Sequence, residues 1–148
     1  MDFAKILIAV DSSSFSIKAA KAGFALAGKL NAAIGIVYVI DQSKEVVNID
    51  LGILPEDAEM VLTRKAEETI SQLIKMFDGK SEVLHFMPEG DPEKEILRIA
   101  GEWQADIIVM GTHGRTGLSH LLMGSIAEHI IRHATIPVMV ISANAEVS

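Results

Sequence analysis

The stretch that decides the fold is Asp106–Ile131, DIIVMGTHGRTGLSHLLMGSIAEHII. Ile107–Met110 is apolar without alternation, the pattern of a parallel strand buried on both faces. The run stops at Gly111, and a loop spaced by Gly111, Gly114, Gly117 and Gly124 follows. Gly124-Ser125 then opens a helix whose apolar stripe is Ile126, Ala127, Ile130 and Ile131. A strand, a glycine loop and a helix N-terminus, in that order, form the arrangement in which α/β proteins hold phosphate groups.

Outward from this stretch the chain repeats the same alternation. Lys5–Val10 (KILIAV) reads as a central strand and ends at Asp11-Ser12-Ser13-Ser14, a cluster of residues that cap helices. The following helix carries Phe15, Ala19, Ala22 and Leu26 at helical spacing, is rich in small residues that let it lie close to a sheet, and ends at Asn31. Ala33–Ile40 is a second buried strand. Asp41–Leu54 has no clear period and is longer than most αβ connections; its position suggests a flap beside the site. Pro55 suits a first helical position and is followed by Glu56 and Asp57, with a stripe of Leu62, Ala66, Ile70, Leu73 and Phe77 and an end at Asp78-Gly79. Glu82–Met87 reads as a less apolar strand suited to an edge. Asp91 and Pro92 start a helix with Ile96, Ile99, Ala100 and Trp103 on its inner face, Ala105–Met110 is strand four, and Pro137–Ser142 is strand five. Strands alternating with helices call for a doubly wound parallel α/β sheet, helices on both faces, as one domain over residues 1–148.

Composition narrows the functions such a sheet could serve. The 148 residues are 49% hydrophobic and 22% charged, an ordinary globular balance. A net charge of −7 argues against a nucleic-acid surface, though not against a small nucleotide. There is no cysteine, so disulfides and thiolate chemistry are out. No apolar run approaches the roughly 18 to 20 residues of a membrane helix, and MDFAKILIAVDSSS lacks the features of a secretory signal. The expected location is cytoplasmic.

In a doubly wound sheet, ligands bind outside the carboxyl ends of the strands where their order reverses. Asp11, Val39–Asp41 and Gly111 stand at those ends and meet if strand one lies between strands two and four. Gly111 and Gly114 allow unusual backbone conformations and close approach to a ligand, while Gly124-Ser125 presents free amides and the positive end of a helix. The bland alternatives are a glycine-rich connection with no ligand, and a capping box in which Ser125 and Glu128 serve their own helix. Asp11 is either a plain N-cap, an acceptor for ribose hydroxyls, or a holder of a divalent cation against phosphates. His113 and Arg115 are either phosphate contacts or solvated charges, and the latter is the expectation. His129 and His133 have a zinc-compatible spacing, but near a helix C-terminus a dipole role is the expectation. The P-loop lysine is missing, G-x-G-x-x-G is absent after strand one, and Ser12–Ser14 lack the G-x-S-x-G turn and a base. No catalytic residue is assigned, and any metal site remains unknown.

Gly111-x-x-Gly114, nine residues, then Gly124-Ser125 resembles the G-x-x-G-x9-G-S/T motif of the universal stress protein family. IAVDSS after strand one and the terminal IPVMVI are similar to that family too, and the likeness runs through nearly the whole chain, weakest across Asp41–Asp57. The resemblance implies a Rossmann-like fold of strand order 3-2-1-4-5 that binds ATP, with Mg²⁺, in a stress-response homodimer. It places Asp11 near the ribose, the Val39 backbone at adenine, and Gly111, Gly114, Gly124 and Ser125 around the phosphates, with Met110 and Ile126 as neighbours. It also implies a homodimer paired through the last strand, which agrees with Val138–Ile141 being an apolar edge that invites strand addition. The ATP pyrophosphatases, a related group, carry S-G-G-x-D-S where this chain has AVDSSSFS. Competing expectations are slow ATP hydrolysis or autophosphorylation, and a nucleotide-free interaction module.

Overall fold

The structure is a computed structural model, described here for residues 2–42, 55–113 and 123–147. Its elements are β1 (Lys5–Val10), α1 (Phe15–Leu30), β2 (Ala33–Tyr38), α2 (Pro55–Lys75), β3 (Val83–Phe86), α3 (Pro92–Trp103), β4 (Ile107–Gly111), α4 (Ser125–His133) and β5 (Val138–Ile141). The five strands form one sheet in the order β3-β2-β1-β4-β5. All four pairings are parallel, with Ile8 of β1 opposite both Ile36 of β2 and Val109 of β4.

Successive residues of a strand face opposite sides of the sheet, so the continuous apolar runs supply two cores. Ile6, Ile8 and Val10 look toward α1 and α2, where Ala20, Phe24, Ile70 and Leu73 cover them. Leu7 and Ala9 look toward α3 and α4, where Ile96, Ile99, Ala127 and Ile130 cover them. The small residues of α1 do bring it close to the sheet. A side-chain carbon added at Gly23 would lie 2.4 Å from Ile8 Cδ1, inside van der Waals contact. Across the sheet, Gly35 makes room for the Trp103 ring, which an added carbon would meet at 2.8 Å.

Several boundaries depart from what the periodicity predicts. The buried face of α1 runs through Ala19, Ala20, Gly23, Phe24 and Ala27, whereas Ala22 and Leu26 are half-buried. Asn31 ends α1 as expected, in the left-handed conformation at φ 53°, with its amide on Ala27 O. α2 stops at Lys75 rather than at Asp78-Gly79. Met76 and Phe77 donate to Leu73 O and Ile74 O, tightening the turn so that Phe77 folds onto Phe24 at 5.0 Å between rings. β2 ends at Tyr38, two residues early, and the chain keeps one further bridge between Ile40 and Glu89. β4 extends one residue past its apolar run, through Gly111. β3, half-buried to exposed, is an edge strand. Ile131, placed on the inner stripe of α4 by its spacing, is 44% exposed. Most of Asp41–Leu54 lies outside the described residues.

Candidate functional site

The strand order reverses at β1, which has β2 on one side and β4 on the other. The carboxyl ends of these strands lie side by side, because Val10 pairs with Tyr38 and Ala9 with Met110. Asp11, Val39 and Gly111 each follow directly on those residues, so the topology brings the three strand ends together as expected.

Asp11 is half-buried and held by serines rather than acting as a simple helix cap. Its Oδ1 accepts from the Ser13 amide at 2.8 Å, from Ser13 Oγ and from Ser16 Oγ at 3.0 Å. The Asp11 amide in turn donates to Ser16 Oγ at 2.7 Å. Ser14 occupies the N-cap position of α1 without a side-chain capping bond. The expected capping role of Ser12–Ser14 is therefore corrected: the hydroxyls of Ser13 and Ser16 turn back to the acid at the strand end. Sequence reasoning misses Ser16, whose only signal is a serine five positions beyond that acid.

The β4 end is tied to the start of α4 by backbone contacts. Gly124 N donates to Thr112 O at 2.6 Å, and Thr112 N donates to Ile141 O at 3.1 Å. Gly124 is the N-cap of α4 with φ −74° and ψ 162°, and Glu128 N bonds back to Gly124 O. That assignment makes Ser125 the first helical residue and overturns the Ser125–Glu128 capping box. Ser125 is exposed at the helix mouth, where the first amides of a helix lack intrahelical acceptors.

Gly111 and Gly124 are required by packing rather than by backbone dihedrals. Among the described glycines only Gly90 has a positive φ, which corrects the expectation of an unusual backbone conformation at Gly111. A carbon added to Gly111 would meet Phe15 Cβ at 3.3 Å, and one added to Gly124 would meet Thr112 O at 3.1 Å. Gly111 thus lets the first turn of α1 press on β4, and Gly124 lets α4 press on the β4 end. Gly114 and Arg115 lie outside the described residues.

The remaining candidates sort by burial. Met110 and Val39 are 5% and 8% exposed and belong with Ala127 and Ile130 to the core beneath the strand ends. Ile126 is half-buried against that core. Their side chains form the floor, so any ligand contact from Val39 would come from its backbone. His113 does not stand out in solvent: it is half-buried, its ring lies 5.5 Å from that of Phe15, and its Nδ1 is 3.0 Å from Thr112 Oγ1. His129 Nδ1 stands 3.4 Å from Glu93 Oε2, and its ring lies 4.3 Å from that of His133. No group of three or more potential metal ligands occurs among the described residues.

Outside the strand ends, charge falls on the surface. Three pairs at helical spacing, Glu95–Arg98, Arg98–Glu102 and Glu128–Arg132, run along the outer sides of α3 and α4. The hydrogen bond from Arg98, opposed by desolvation and aided by its charge, holds the Glu95 carboxyl below the usual carboxylate range. Glu89 moves the other way, upward, through a hydrogen bond with Glu59 and then the charge of Glu59, with burial adding to both. No helix among the described residues is long and apolar enough to cross a membrane.

The geometry places the chain beside proteins already known. A family model described as Universal stress protein family matches residues 2–142. Universal stress protein MJ0531 of Methanocaldococcus jannaschii is 36% identical over 140 residues, spanning 94% of this chain and 82% of that protein. The solved structure of hypothetical protein MJ0577, from the same organism, superposes with a TM-score of 0.85 at 27% identity, covering 99% of this chain and 100% of that one. A universal stress protein from Archaeoglobus fulgidus, solved in complex with dAMP, shares the fold at a TM-score of 0.65 and 21% identity, over 95% of this chain and 98% of that one. A parallel sheet of order 3-2-1-4-5, and a sequence matched along almost its whole length, lead to one conclusion: the chain belongs to the universal stress protein family.

Proposed function

We propose that the chain is an ATP-binding regulator of the stress response, a cytoplasmic homodimer whose nucleotide occupancy biases a partner surface. The observation that carries this reading is the closure at Gly124. Its amide on Thr112 O draws the N-terminus of α4 against the end of β4, beside Asp11 at the end of β1. Free amides and a positive helix end suit phosphate, and a carboxylate at the neighbouring strand end suits ribose hydroxyls. In this reading Asp11 meets the ribose, the Val39 backbone meets adenine, and Gly111, Gly114, Gly124 and Ser125 cradle the phosphates above Met110 and Ile126.

The donor set bears on Mg²⁺. Asp11 Oδ1 already accepts hydrogen bonds from Ser13 and Ser16, which suits a hydroxyl-recognising acid better than a cation ligand. We therefore assign Mg²⁺ to the phosphates of ATP rather than to a protein cage. The same engagement of Asp11 favours binding over catalysis. The β5 edge, half-buried along Val138–Ile141, supports pairing with a second copy.

The test is calorimetry and native mass spectrometry of the wild type and of Gly124→Val at millimolar ATP with Mg²⁺. Saturable binding by the wild type, weakened in the variant, is expected. Absence of adenine-nucleotide binding by the wild type would overturn the proposal.

A further inference from the structure

The hydrogen bonds around Asp11 show more than the presence of an acid at a strand end. Ser16 is 5% exposed, and a buried hydroxyl is costly unless its hydrogen bonds are made. Its oxygen accepts from the Asp11 amide at 2.7 Å and donates to Asp11 Oδ1 at 3.0 Å, so one buried hydroxyl grips both the backbone and the side chain of a single residue. Ser13 grips the same oxygen with its amide at 2.8 Å and with its hydroxyl. Together these bonds fix where Asp11 leaves β1 and how its carboxylate plane is turned. A capping role for α1 does not account for them, since the N-cap residue, Ser14, makes no side-chain capping bond.

A carboxylate held in one orientation can recognise something a mobile one cannot. The vicinal hydroxyls of a ribose present two donors at fixed separation and direction, and a pre-oriented acceptor meets them without first losing side-chain freedom. A deoxyribose presents one of those donors less. We infer that Ser16, assisted by Ser13, is a positioning residue that makes Asp11 a reader of the ribose diol, so that the site prefers ribonucleotides to deoxyribonucleotides. This inference rests on the adenine-nucleotide reading given above and adds to it a selectivity and the residues that set it.

The experiment measures dissociation constants for ATP, 2′-deoxyATP and 3′-deoxyATP on the wild type, Ser16→Ala and Ser13→Ala. Thermal melting of each protein, run alongside, confirms that it is folded. The wild type should bind ATP about tenfold more tightly than at least one deoxy analogue, the worth of one hydrogen bond to a charged group. Ser16→Ala should weaken ATP binding roughly three- to tenfold, as expected for a side chain that must be ordered on binding. It should leave the deoxy analogue that lacks the recognised hydroxyl nearly unchanged, so that the preference narrows. Ser13→Ala should do the same to a smaller extent.

A purely structural role would lower the melting temperature and weaken all three ligands by the same factor, and that result overturns the inference. So does a wild type that binds ATP and both analogues equally, in which case nucleotide binding itself still stands. A wild type that binds none of the three overturns the underlying reading and this inference with it.

Discussion

Gly124→Ala isolates the closure on which the site depends. Its dihedrals, φ −74° and ψ 162°, are open to any residue, so the cost of a side chain there is one of space. The added carbon would lie 3.1 Å from Thr112 O and 3.5 Å from His113 Cα. Thr112 O has little room to retreat. It accepts from Gly124 N at 2.6 Å, the Thr112 amide is tied to Ile141 O, and the residue is 8% exposed. The start of α4 must therefore shift by a few tenths of an ångström. Overpacking costs about 1–3 kcal/mol, and an overlap this shallow belongs at the low end, about 1 kcal/mol. Replacing glycine by alanine at an N-cap adds about 0.5–1 kcal/mol, and the stiffer unfolded chain returns about 0.4–1 kcal/mol. The net is a loss of about 1 kcal/mol, or about 2–4 °C in melting temperature for a chain of this size.

Urea denaturation and thermal melting read that loss, and calorimetry reads the companion effect on ATP. Affinity should fall about tenfold, as expected if one charge-assisted hydrogen bond from the helix start is displaced. Gly124→Ser brings the same carbon but a capping oxygen, so its stability should fall between alanine and wild type. An alanine variant as stable as the wild type would refute the claim that close approach to Thr112 O is what requires glycine here.

Two further perturbations test the frame and the surface. Asp106 Oδ2 accepts from the Ala4 and Lys5 amides, each at 2.9 Å, and so anchors the start of β1 to that of β4. Asp106→Ala should cost about 2 kcal/mol in chemical denaturation, and a change below about 0.5 kcal/mol would show the anchor to be dispensable. The raised Glu89 carboxyl makes the folded state favoured in acid and progressively less so as pH rises through its folded value. Glu59→Gln removes the carboxyl–carboxyl hydrogen bond and, with it, the neighbouring charge that raise Glu89, so the variant should gain stability over the wild type at pH 7. The gain should vanish toward about pH 4, where carboxyls begin to protonate in any case; an equal gain at both pH values would exclude Glu59 as the cause.

Much of the frame is legible in the order of the residues. Unbroken apolar runs such as Ile6–Val10 and Ile107–Met110 can only be buried on both faces, and four helical stripes between them leave a parallel sheet with two covered faces as the way to bury everything. Asp91-Pro92 marks the start of α3 by local chemistry, and the Asp91 carboxylate does accept from the Glu93 amide at 3.2 Å. Periodicity misleads near element ends. Phe77 continues the α2 stripe in sequence but leaves the helix to pack on Phe24, and Ile131 fits the α4 stripe yet faces outward. A period of 3.6 residues states which positions share a face, not where a neighbouring helix stops covering it.

The same division holds at the site. Residue types and spacing alone determined that a glycine-spaced loop joins a buried strand to a helix start, and that an acid ends the first strand, because those features depend on neighbours along the chain. Only the tertiary structure decided the purpose of each. Gly111 and Gly124 are glycines because α1 and the end of β4 come too close for a side chain, not because the backbone turns left-handed. Met110 and Val39 became floor rather than wall because α3 and α4 bury them. Asp11 became an oriented acceptor because the first turn of α1 returns the Ser16 hydroxyl to it. Each of these outcomes is set by distances between segments far apart in the chain or by the direction of a single hydroxyl, and neither quantity is written in the order of the residues.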